Sequence, residues 1–224
     1  MGILLTSVSA SPIAPLARRP AAHYIGAMKR LALIAAAFLA APASAAPHTE
    51  TAVLAGGCFW GMELVYEHVK GVRNVVSGFA GGSARDANYE AVSSERTGHA
   101  EAVKITYDPA QLSYAQLLQI FFTVAHDPTE VNRQGPDTGT SYRSAIFPQS
   151  ASQAQQARIF IARLNATHAF KKPIATRIEK GQFFPAESYH QGYARNHPWE
   201  PYILFNDRPK VAALKSSYPG LFKA

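Results

Sequence analysis

The stretch TAVLAGGCFWGMELVYEHV, residues 51–69, decides the fold. Thr51 to Ala55 is a short apolar run closed by Gly56 and Gly57. From Cys58 the spacing changes, with Cys58, Met62, Val65 and Val69 recurring on one helical face. The reading is strand, tight turn, helix. Cys58 then opens the helix, where unpaired backbone N–H groups and the positive end of the dipole favour thiolate over thiol. Gly56 and Gly57 let the backbone make the sharp approach that such a position needs.

Outward from this unit, Gly71 is the expected C-cap, and VRNVVSGF (72–79) reads as a second strand that ends in the Gly81-Gly82 turn. The stretch HAEAVKITYDP (99–109) alternates, with Glu101, Val103, Ile105 and Tyr107 on one side and Ala102, Lys104 and Thr106 on the other. Ser113 can cap a helix running to about Ala125. After a polar loop over 126–140, SYRSAIF (141–147) is a strand, 152–167 a helix and IATRIEK (174–180) a further strand. The tail carries Pro173, Pro185, Pro198, Pro201 and Pro209 and is expected to be irregular apart from VAALKSS (211–217). Strands and helices interleave in one mixed domain, so the class is α+β.

Residues 28–45, MKRLALIAAAFLAAPASA, have the build of a secretory signal. Lys29 and Arg30 precede an apolar run from Leu31 to Leu39, and Ala43-Ser44-Ala45 is an A-x-A cleavage site. Residues 1–27 read as an upstream extension, with Met28 as a start, and 46–224 as a single mature domain. The expected location is outside the cytoplasm, in a periplasm, with no membrane anchor after cleavage. Four of the 22 basic residues (Arg18, Arg19, Lys29 and Arg30) lie before the cleavage site and no acidic one does, which leaves 18 Lys and Arg against 15 Asp and Glu. No basic cluster interleaved with aromatics marks a nucleic-acid surface.

Cys58 is the only cysteine, which excludes an internal disulfide and any zinc site built on paired cysteines. Two readings stand for it: a small apolar packer beside Met62 and Val65, or a nucleophile. Phe59 and Trp60 are core aromatics or the apolar wall of a substrate pocket. Glu101 heads the inward strand face, where desolvation would raise its pKa toward the range of a general acid; at a frayed strand end it would be solvated instead. Asp137 lies in NRQGPDTGTSY (132–142), a loop dense in polar groups, either as a turn former or as part of a site. The eight histidines show no ligand spacing. Only His190, in ESYHQGY, stands near other polar groups of interest.

Four blocks, GCFWGME (57–63), YEAVSSERTGHAEAV (89–103), NRQGPDTGTSYRSAIF (132–147) and FFPAESYHQGY (183–193), together resemble the peptide methionine sulfoxide reductase A family. The resemblance covers essentially the whole mature chain. It implies a two-layer sandwich with a ferredoxin-like core, and thiol-dependent reduction of the S epimer of methionine sulfoxide, free or in proteins. By motif, Cys58 matches the nucleophile and Glu101 the acid that protonates the sulfoxide oxygen. Phe59 and Trp60 match the methyl pocket, Tyr89 and Tyr142 the phenols on that oxygen, and Asp137 a polar residue that orders the site. No metal or organic cofactor is implied. Many relatives carry resolving cysteines near the C-terminus, and some have one where this chain has Gly61. This chain has neither, so its sulfenic acid must meet an external thiol: a thioredoxin-like or glutaredoxin-like protein, or a small thiol. Two other functions fit the residues. One is a cysteine hydrolase or transferase with His190 as base; the other is a non-enzymatic domain that binds methionine-like side chains.

Overall fold

The computed structural model describes residues 48–224. The expected extension at 1–27 and the expected export signal at 28–45 lie outside the described residues. The opening unit forms as its spacing predicts. β1 (Glu50–Gly56) runs into α1 (Phe59–Glu67), and Cys58 is the N-cap between them. Its side chain makes no capping hydrogen bond, so the sulfur is not engaged in holding its own helix. Gly57, at φ +87°, takes the left-handed turn that a side chain would strain.

β2 (Val72–Ala80), the short α2 (Tyr89–Val92) and β3 (Ala100–Tyr107) follow. Next come α3 (Tyr114–Ile120), a two-stranded hairpin of β4 (Arg133–Gln134) and β5 (Asp137–Thr138), β6 (Ser144–Phe147) and α4 (Ala151–Ala166). The chain ends with β7 (Arg177–Ile178), β8 (Phe183–Pro185), α5 (Tyr193–Asn196) and α6 (Arg208–Ser217). The main sheet has the order β7-β6-β1-β3-β2-β8, antiparallel except for the β6–β7 pair. Its middle, β6-β1-β3-β2, with α1 crossing from β1 to β2 and α3 lying between β3 and β6 in the chain, is the ferredoxin-like arrangement.

Alternation along β3 is as read. Val103, Ile105 and Tyr107 join Leu54, Met62, Val65, Leu117 and Phe121 in one core between sheet and helices, and Glu101 is buried in phase with them. The opposite face carries a smaller cluster, largely alanine, with Val53 and Phe147. Several boundaries differ from expectation for local reasons. α1 ends at Glu67 with His68 as its C-cap, and Gly71, at φ +86°, instead turns the chain into β2 beneath Leu112. α3 has the capping box of Ser113 and Gln116, but beyond Ile120 the helix widens into a π-turn over Phe121–Ala125. IATRIEK pairs only at Arg177 and Ile178. The tail keeps the expected helix as α6, preceded by a second π-turn, Ile203–Asp207. Among the described residues no helix is long and apolar enough to cross a membrane.

Candidate active site

The first turn of α1 is the centre of the site. Glu101, at the start of β3, reaches across so that its Oε2 accepts the Phe59 N–H at 2.9 Å, one residue from the Cys58 sulfur. The carboxyl is only 4% exposed, and burial is the main force that pushes its pKa up to about 8. The Phe59 N–H opposes the rise, and the nearby Asp137 adds to it. Glu101 therefore holds its proton at neutral pH. Cys58 is buried as well, and its pKa is raised well above the ordinary value, first by burial and then by Glu101 and Asp207; the Trp60 N–H works the other way. This corrects the expectation of a resting thiolate. The helix end does lower the thiol pKa, but desolvation and neighbouring carboxyls outweigh it.

The aromatic residues make a wall with a back and a face. Phe59 is fully buried against Phe79 and His190, at centroid distances of 5.7 and 5.0 Å. Trp60 is partly exposed, stacked on Tyr193 at 3.9 Å and met edge-on by Tyr202 at 6.1 Å. His190 lies 4.5 Å from the Tyr89 ring and takes a 3.2 Å hydrogen bond from Trp60 Nε1 on its Nδ1. That bond makes Nδ1 the acceptor and leaves the ring proton on Nε2. His190 is thus a wall residue fixed by Trp60, and burial lowers its pKa. The phenols of Tyr89 and Tyr142 are raised first by burial and then by Glu101, and Cys58 contributes to both. Asp137 accepts the Tyr202 hydroxyl, and its carboxyl is raised, chiefly by burial. All seven residues that the resemblance assigns to the site, Cys58, Phe59, Trp60, Tyr89, Glu101, Asp137 and Tyr142, converge here.

A ring of polar contacts holds these groups. Glu63 accepts Ser77 Oγ at 2.8 Å and the Gly192 N–H at 3.0 Å, fixing the left-handed turn (φ +62°) that lays Tyr193 on Trp60. Glu95 accepts from Thr140 and from both the N–H and hydroxyl of Ser141, which locks the turn bearing Tyr142. Arg143 bonds Glu179 and the Gly98 carbonyl, steadying the loop before Glu101.

The tail adds Tyr193, Tyr202, Asp207 and Lys210, none of which was singled out from the sequence. Only Asn206-Asp207-Arg208-Pro209 carried a signal, that of a helix start, and Asp207 does not cap its own helix with its side chain. A cavity of about 60 Å³ bounded by Cys58, Tyr202, Asn206, Lys210 and the 134–137 turn lies over the sulfur. Larger hollows of about 420 and 450 Å³ run along α1 past Leu64 and His68 and are not lined by Cys58.

Residues 50–220 match the family model described as Peptide methionine sulfoxide reductase. The chain is similar to the peptide methionine sulfoxide reductase MsrA 2 of Mesorhizobium japonicum, 54% identical over 80% of this chain and 92% of the relative. It is 48% identical to the MsrA protein of Deinococcus radiodurans over 75% of this chain and 82% of that one. Among solved structures, methionine sulfoxide reductase A of Corynebacterium diphtheriae aligns with a TM-score of 0.62 at 37% identity, covering 69% of this chain and 77% of that chain. The reduced form of Mxr1 from Saccharomyces cerevisiae aligns with a TM-score of 0.60 at 32% identity, covering 67% and 87%. With a thiol and a protonated carboxyl at one helix end, and similarity running through nearly all the described residues, the chain belongs to the peptide methionine sulfoxide reductase family.

Proposed function

We propose that the protein reduces the S epimer of methionine sulfoxide, free or within proteins, by a cycle in which Cys58 is the sole redox-active thiol. A sulfoxide sulfur is a poor electrophile until its oxygen is protonated or strongly hydrogen-bonded. The oxygen is set against the Glu101 carboxyl and the Tyr89 and Tyr142 phenols, and the methyl group against the Trp60 and Phe59 wall. Cys58 then attacks sulfur as Glu101 gives up its proton. The developing positive charge on the sulfoxide offsets the burial that keeps Cys58 a thiol at rest, and the thiol proton restores Glu101. The hydroxyl then passes from the substrate sulfur to the Cys58 sulfur as the bond between the two sulfurs breaks, so methionine leaves and Cys58 is left as a sulfenic acid. Three distinct contacts around one tetrahedral sulfur select one hand.

The carrying observation is the pairing at the start of α1. A buried acid that stays protonated through neutrality is hydrogen-bonded to the residue next to the thiol. Regeneration falls to an external thiol, a thioredoxin-like or glutaredoxin-like protein or a small thiol, since the chain has no second cysteine. Export to a periplasm fits the apolar run and cleavage site at 28–45. A single thiol also suits such a compartment, because no internal disulfide can trap the enzyme. The hydrolase reading loses support from His190, whose Nδ1 is occupied by Trp60.

The test is to incubate the protein with each sulfoxide epimer, with and without dithiothreitol. With the S epimer and no reductant, about one methionine per Cys58 is expected and the chain gains one oxygen atom in mass. With reductant, turnover continues. Equal reduction of both epimers, or methionine formation in Cys58→Ser, would overturn the reading.

A further inference from the structure

The second half of the cycle has a site of its own on the wall of the Cys58 cavity. The π-turn that ends at Asp207 and the first turn of α6 bring Asp207 and Lys210 to the first turn of α1. Asp207 is fully buried, with Oδ1 3.1 Å from Lys210 Nζ and Oδ2 without a partner among the described residues. The pair presses directly on Gly61. A Cβ built there would fall 2.0 Å from Asp207 Oδ1 and 2.8 Å from Lys210 Nζ. Lys210 and Cys58 both line the same cavity of about 60 Å³, room for roughly two water molecules.

The Asp207 member of this pair does not help the attack on the sulfoxide. A carboxylate beside Cys58 makes the thiol harder to ionise, and Asp207 is among the groups that raise it. The problem it addresses comes later. An external thiol attacks as a thiolate, and the sulfur it must reach shares its cavity with Asp137 and lies near Asp207, while Glu101 is protonated. An anion entering beside ionised Asp137 and Asp207 is repelled, and the repulsion is strong where water is scarce. Lys210 is the only cation among the described residues lining the cavity. Its tie to Asp207 holds the ammonium at the cavity instead of letting it swing into solvent.

We propose that Lys210, positioned by Asp207, is the anion-binding group that receives the thiolate of the external reductant as it attacks the Cys58 sulfenic acid. In that step the incoming sulfur forms an S–S bond and is oxidised. The Cys58 S–O bond breaks, and Cys58 sulfur is reduced. The oxygen leaves with the bonding pair and takes up the proton shed by the thiol, so water is released. A second thiol then displaces Cys58 from the mixed disulfide.

The inference rests on the one-cysteine cycle proposed above, and the two separate experimentally. Sulfenic enzyme is made with one equivalent of sulfoxide, and its reduction is timed with three small thiols: anionic mercaptoethanesulfonate, neutral 2-mercaptoethanol and cationic cysteamine. Lys210→Met is compared per sulfenic Cys58 formed, the methionine burst giving that amount. It should slow reduction by mercaptoethanesulfonate by about tenfold or more while changing cysteamine by less than about twofold. Lys210→Arg, which keeps the charge, should retain the wild-type order of thiols. Equal slowing by all three thiols in Lys210→Met, or no slowing by any, would overturn the role of Lys210. A wild-type chain that gives no burst overturns the cycle itself.

Discussion

Glu101 shows how one buried side chain ties rate to stability. Its proton is the one the sulfoxide oxygen needs, so Glu101→Gln should lower kcat by about 10²–10⁴-fold with KM little changed, as steady-state kinetics on the S epimer would show. The same burial leaves a mark on folding. The carboxyl titrates near 8 when folded, against an ordinary value of 4.5. Between those two pH values the folded protein keeps a proton that the unfolded chain releases. Stability from this group is therefore complete below about pH 4.5 and is lost as pH rises through about 8. Urea midpoints at pH 5 and pH 9 should fall more for the wild type than for Glu101→Gln. Parallel shifts in the two proteins would mean that Glu101 is not desolvated. The candidacy of Glu101 was legible in HAEAVKITY because strand alternation is local, and it put a carboxyl in phase with Val103 and Ile105. The protonation of Cys58 was not legible. Its helix-end position is local, but the burial and the Glu101 and Asp207 carboxyls that outweigh it come from distant parts of the chain.

Among the elements, α1 and α6 depend on each other most closely. α1 can bring its first turn against α6 only because residue 61 has no side chain, and the Asp207–Lys210 pair occupies that ground. Gly61→Ala should therefore cost stability even though alanine favours helix. Overpacking of this kind typically costs about 1–3 kcal/mol, against a propensity gain of about 1 kcal/mol. Urea denaturation of the variant decides between them, and a stabilised Gly61→Ala would mean that α6 does not press on α1 as described. Strand, turn and helix boundaries near Cys58 could be read because glycine and apolar period both mark them. The approach of α6 could not, since Asp207 and Lys210 look like an ordinary helix start and a surface lysine until tertiary packing places them.

Over the molecule as a whole, the sheet supplies the acid, its first crossover helix the nucleophile, and the tail much of the wall. Tyr193, Tyr202 and His190 all follow β8, so the last forty residues complete a site begun in the first twenty described. The α+β class was open to sequence reading because consecutive short-range units build it, and the ferredoxin-like core was implied by the family resemblance; the tail's part was hidden because its short turns take their places from contacts with Trp60 and Glu63. The protein has only two tryptophans, and the stacking of one of them has an optical consequence. Trp60 lies in the wall against Tyr193 and beside the sulfur, whereas Trp199 is 76% exposed over Arg208. In Trp199→Phe, all indole emission comes from the wall itself, so adding one equivalent of S-sulfoxide should change its intensity as the oxygen is transferred, and thiol should return it. The catalytic centre thus carries its own lamp, and each half of the cycle can be timed by stopped-flow light without any added label.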